Sequence, residues 1–83
     1  MKLIEKGTQP GDVTSCFVGD GEILLNLGQR WPADVRFDER QNEFVIRPLS
    51  ESDRAFCLRA SVPIKVKRID IEKDQVCANF VKK

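Results

Sequence analysis

The feature that most constrains this chain is a repeated alternation. Short stretches rich in Val, Ile, Leu and Phe are separated by turn residues at intervals of about ten positions, the pattern of antiparallel all-β folds. It predicts strands over residues 2–6, 13–18, 21–27, 34–38, 43–48, 63–72 and 75–82. In VTSCFVGDGEILLNL, Gly19, Asp20 and Gly21 can take the positive φ angles of a tight reversal. In DVRFDERQNEFVIRP, Val35 and Phe37 share one face and Glu39 to Asn42 form a polar tip. A third hairpin, PIKVKRIDIEKDQVCANFVKK, turns at Lys73 and Asp74. Within it Ile64 and Val66 are in phase, whereas Ile69 and Ile71 are displaced by one residue. A slip of one in a period of two predicts a bulge near Lys67 and Arg68.

Two segments are less regular. PLSESDRAFCLRASVP offers Ser50 or Ser52 as a helix cap, followed by residues that suit a short helix or another strand, with the helix slightly favoured. Pro63 ends either one, because proline holds the residue before it extended. Pro10 and Gly11 mark a loop after the first strand, Gly28 closes ILLNLG, and Pro32 is expected to turn the chain across to the next hairpin.

The expected architecture is therefore all-β: a small antiparallel barrel or two-layer sandwich of three hairpins, with at most one short helix near residues 50–60. The alternative is α+β, with that helix on a curved antiparallel sheet. The chain of 83 residues is read as one domain, residues 1–83, since so short a chain supports a single core. The expected core is Ile4, Val13, Phe17, Ile23, Leu25, Val35, Phe37, Phe44, Ile46, Phe56, Ile64, Val66, Ile71, Val76 and Phe80.

Hydrophobic residues make up 41% and charged residues 33%, a balance found in soluble, fully folded proteins. No apolar run approaches the roughly 20 residues that span a bilayer, and the opening MKLIEKGTQPGD turns charged too soon for a secretory signal. A cytoplasmic protein without membrane contact is expected.

Several chemistries are hard to build from this composition. There is no histidine and no tyrosine, so the commonest general base is missing, along with the usual partner of a nucleophilic serine or cysteine. Asp34 with Asp38 and Glu39 with Glu43 flank expected turns, where charged residues are simply solvated. Cys16, Cys57 and Cys77 are widely spaced and lack a C-x-x-C pair, so buried free thiols are expected in place of disulfides or structural zinc. The GDG at 19–21 has neither the following lysine nor the helix start of a phosphate loop. The protein is expected to be no enzyme and to hold no cofactor or metal.

What remains is binding. Residues 1–53 carry six Lys and Arg against ten Asp and Glu, a balance of −4, and residues 54–83 carry eight against three, a balance of +5. Such polarity suits head-to-tail association or an anionic partner, unless folding interleaves the halves. The sole tryptophan lies in GQRWPADVR, with arginine beside it as in interface hot spots. Its ring either packs against the hairpins or stands exposed. The candidate binding surface is Arg30, Trp31, Arg36, Lys65, Lys67 and Arg68. A chain this small leaves apolar area uncovered, so the leading expectation is an accessory protein that acts through protein association, as a homodimer or with another protein. The alternative is a small β-barrel that binds single-stranded nucleic acid through Trp31 and the basic strand. Its sequence pI near 7.7 is less basic than dedicated binders of that kind.

The stretch FCLRASVPIKVKRIDI, residues 56–71, resembles the closing strands of the carbon-storage-regulator family, small interlocked all-β dimers that bind RNA. The arginine-rich opening strand of that family and the Gly-Asp start of its second strand have no counterpart here. The resemblance therefore carries over no site residue.

Overall fold

Alternation of buried and outward side chains along each hairpin builds two antiparallel four-stranded sheets. The computed structural model describes residues 4–5, 13–28 and 30–83; for 4–5 and 16–19 it describes the backbone alone. The strands are β1 (Ile4–Glu5), β2 (Thr14–Gly19), β3 (Glu22–Asn26), β4 (Pro32–Asp38), β5 (Glu43–Pro48), β6 (Phe56–Ala60), β7 (Ile64–Ile71) and β8 (Gln75–Lys82). One sheet runs β1-β6-β5-β4, the other β2-β3-β8-β7. The all-β expectation holds in its two-layer form, and the sheets do not close into a barrel. The expected hairpins are β2–β3, β4–β5 and β7–β8.

The short helix near residues 50–60 is not there. Ser50 and Ser52 hydrogen-bond to each other at 2.7 Å and, with the Asp53 amide on the Ser50 carbonyl at 3.1 Å, form a turn in place of a helix cap. Beyond it Phe56, Leu58 and Ala60 are buried while Arg59 points outward, a period of two that places β6 between β5 and β1. Without β6 the inner edge of β5 would be left unpaired, so sheet formation overrides the helical propensity of Ala, Leu and Arg. Pro32 also differs from expectation: it opens β4 opposite Pro48 and does not form the reversal. Proline is tolerated there because β4 lies at a sheet edge. The reversal falls at Leu27 and Gly28, where Gly28 has φ 69° and its amide donates to Asn26 Oδ1 at 3.0 Å.

The core draws on both sheets, with Ile23, Leu25, Val76, Ala78 and Phe80 facing Val35, Phe44, Ile46, Phe56 and Leu58. Leu27, Leu58, Ala60 and Ala78 belong to it although the sequence did not single them out. Phe37 and Val66 are only half-buried against it, with the Phe37 ring edge-on to Phe44 at 4.9 Å. Ile71, expected inside, is 46% exposed. It pairs with Val76 at the end of an edge strand, beyond the reach of the opposite sheet. Ile4 and Phe17 of the expected core, with Pro10, Gly11 and the Cys16 side chain, lie outside what is described.

The expected bulge is present. Val66 pairs with Phe80 and Arg68 with Asn79, which leaves Lys67 as the extra residue. The slip keeps Val66 and Ile69 both toward the core although they lie three positions apart.

The connection from β6 to β7 carries the chain from one sheet to the other, and Asn42 organises it. Asp38 Oδ1 accepts the amides of Arg40 and Gln41 at 2.9 and 3.3 Å, which tightens the β4–β5 turn and delivers Asn42 at φ 57°. The Asn42 side chain donates to the carbonyls of Ala60 and Val62 at 3.3 and 2.8 Å and accepts the Ile64 amide at 3.2 Å. One side chain thus fixes both ends of the crossover.

Candidate functional site

The six residues singled out from the sequence fall on three separate surfaces. Trp31 lies at the end of the sandwich where β3, β5 and β7 finish and β4, β6 and β8 begin. Leu27, fully buried, already fills that end of the core. Its amide donates to the Asp74 carbonyl at 2.7 Å, which locks the β3–β4 connection onto the β7–β8 turn. With that place taken, the tryptophan ring stands outward, 52% exposed. The Leu49 amide donates to the Trp31 carbonyl at 2.6 Å, so the two residues sit side by side just beyond the Pro32–Pro48 pair. Leu49 is 64% exposed. Lys73, at the β7–β8 turn, holds its ammonium 5.8 Å from the Trp31 ring centroid, a cation–π contact worth about 0.5–1 kcal/mol at an exposed site. Ile71 reaches the same end two residues earlier.

Arg30 braces this end. Its Nη1 donates to the Leu27 carbonyl at 3.5 Å and its Nε lies 3.9 Å from Asp53, and the side chain is only 22% exposed. It was expected at the surface, but it ties the β3–β4 connection to the β5–β6 turn. Arg36 does lie at the surface, on the outer face of the other sheet edge, paired with Asp34 at 2.8 Å and 80% exposed. Lys65, Lys67 and Arg68 lie along β7 short of its Trp31 end, with Arg68 on Asp70 at 3.0 Å. The ring and the basic strand therefore do not share a face.

Leu49, Lys73 and Asn42 were not picked out from the sequence. An isolated leucine between Pro48 and Ser50 was a usable signal for Leu49. Lys73 was placed only as a turn residue, and no local pattern foretells that its ammonium reaches Trp31.

Among the described residues no buried residue is polar or charged, and no three Cys, Asp or Glu side chains converge to hold a metal ion. No helix among them is long and apolar enough to cross a membrane. Cys57 and Cys77 are free thiols, half-buried on the outer faces opposite Val45 and Leu24 and not in the core as expected. Partial burial, followed by the carboxylates of Glu22, Asp70 and Glu72, pushes the Cys77 thiol above its ordinary range.

Searches against models of protein families, curated proteins and solved structures return no match. The likeness of residues 56–71 to the carbon-storage-regulator family thus has no support beyond that stretch.

Proposed function

We propose that the protein is a non-enzymatic binding module that acts through protein association, pairing with a second copy of itself across the Trp31 end. The observation that carries this reading is the exposure of Trp31, Leu49 and Ile71 at 52%, 64% and 46% around one end of a small sandwich. Tryptophan and large aliphatic residues supply most of the energy where interfaces exclude water. Charges of both signs surround them: Glu51, Arg54, Glu72 and Lys73 are all exposed on the adjoining turns. A two-fold axis brings each surface against its own copy, and a mixed rim can then set Arg54 and Lys73 against the partner's acidic residues. Free thiols at Cys57 and Cys77 suit a reducing, cytoplasmic setting.

Sedimentation equilibrium at micromolar concentration tests the reading. A dimer is expected for the native chain and a monomer with unchanged circular dichroism for Trp31→Ala. A native chain that stays monomeric across that range refutes it. Single-stranded nucleic acid has less support, because Arg36 and the β7 lysines lie away from the Trp31 end of the sandwich. Titration with mixed oligonucleotides at low salt is expected to leave Trp31 fluorescence unchanged, since stacking on the ring would quench it.

A further inference from the structure

The second candidate surface lies away from the Trp31 end, along the seam where the sandwich stays open. β4 and β7 are the last strands of their sheets on the same side, and they approach each other without sharing a ladder. Around the Lys67 bulge the seam parts into a groove of about 310 Å³, with Phe37, Val66 and Ile69 as its floor and Glu39, Lys67 and Arg68 at its rim. The three floor residues face the core yet remain half-buried. The hydrophobic interior is therefore incompletely covered here, beside a strand edge that Asn42 holds at the Ile64 amide and that has no ladder partner among the described residues from Val66 onward.

Charge identifies what would fit. Lys65, Lys67 and Arg68 on β7 and Lys82 and Lys83 at the end of β8 are all exposed. Neither Lys65 nor Lys67 has an ion-pair partner among the described residues. A second copy adding β7 to β7 would set these cations against their own kind, which destabilises a cross-strand pairing. An extended acidic segment meets no such repulsion. Nucleic acid fits less well, because Trp31, the one large exposed aromatic residue among those described, sits at the far end of the molecule.

We propose that the free edge of β7 takes an extended, acidic segment of a partner protein as an added strand. Successive side chains of a strand point to opposite faces. Every second residue of the segment, apolar, enters the groove over Phe37, Val66 and Ile69; the residues between, acidic, meet Lys65, Lys67 and Arg68. Backbone hydrogen bonds supply the affinity and the two faces the specificity, as in other strand-addition complexes. This site is independent of the Trp31 end and survives if that end proves not to self-associate.

The test uses the full chain and a fluorescein-labelled peptide of alternating glutamate and valine, matched to the eight residues of β7. Anisotropy is expected to show saturable, salt-sensitive binding. Lys65→Glu with Lys67→Glu, substitutions on an exposed face, should weaken it by about tenfold or more, while Trp31→Ala leaves it unchanged. Methylating alternate peptide amides so that they cannot pair with β7 should abolish it. The proposal is overturned if no saturable binding occurs. It is also overturned if the methylated or a scrambled peptide binds equally, or if an oligothymidylate binds more tightly through the same lysines.

Discussion

Replacing Asn42 by alanine should cost this protein a large part of its stability, although the residue is polar and lies in a turn. The substitution removes two side-chain donations, to the Ala60 and Val62 carbonyls, and the acceptance of the Ile64 amide. A typical intramolecular hydrogen bond contributes about 1 kcal/mol net, and a buried group left unsatisfied costs about 1–3. Ile64 is fully buried, so its orphaned amide falls under the larger figure. Alanine must also hold the φ of 57° that asparagine holds here, a left-handed angle worth roughly 1–2 kcal/mol against a side chain with no local hydrogen bond to make. The total is about 4–7 kcal/mol, against the roughly 4–12 kcal/mol expected for a chain of 83 residues. Glycine at the same position loses the hydrogen bonds but relieves the angle, and should be less damaging than alanine by about 0.5–1 kcal/mol. Urea unfolding followed by circular dichroism measures all three forms. With a slope of about 1 kcal/mol per molar, the alanine midpoint should fall by roughly 4 M or more. An alanine variant within about 0.5 kcal/mol of the native chain, or a glycine variant less stable than alanine, would refute the assignment of Asn42 as the tie between sheets.

Three further predictions follow from the same packing. Gly21→Ala should destabilise by at least about 1 kcal/mol, because Gly21 has φ 79° and a Cβ there would lie 2.9 Å from the Phe80 carbonyl oxygen; an unchanged thermal midpoint would contradict it. Phe44→Ala, at a fully buried site, should cost about 3–5 kcal/mol, while Arg36→Ala, which breaks an exposed pair with Asp34, should stay within about 0.5 kcal/mol. Equal losses in denaturant midpoint would refute that contrast. Finally, the raised thiol of Cys77 means that the folded chain holds this proton more tightly than the unfolded one. Its contribution to stability is therefore full below the unfolded thiol value and is lost as pH rises above it. In a Cys16→Ser, Cys57→Ser background, the pH midpoint of alkylation should lie higher for the folded than for the urea-unfolded chain, and coincident midpoints would rule the shift out.

Hairpin positions, the inward faces of β3, β5 and β8 and the Lys67 bulge were legible in the sequence because each follows from neighbours within a few residues. The period of two, the turn residues and a single slip of phase are local facts. β6 was harder, since only Phe56, Leu58 and Ala60 carry its alternation and Ala, Leu and Arg serve a helix equally well. Its strand conformation is set by β5 and β1 on either side.

The candidate site was less legible. The composition around Trp31 pointed to a surface of interest, but the direction of the ring depended on Leu27 filling the end of the core first and on Lys73 arriving from the β7–β8 turn. Arg30 is drawn inward by Leu27 and Asp53, and Arg36 and Lys65 end on different faces.

By itself, then, the sequence determined an antiparallel β chain of three hairpins with one displaced strand. Tertiary structure decided which apolar residues are left outside, how the crossovers are tied, and where the two sheets fail to meet. Alternation and turn chemistry act over a few residues. The Asn42 bonds, the Trp31 end and the β4–β7 seam depend on groups far apart in the chain, whose meeting is fixed only when both sheets compete for one small interior.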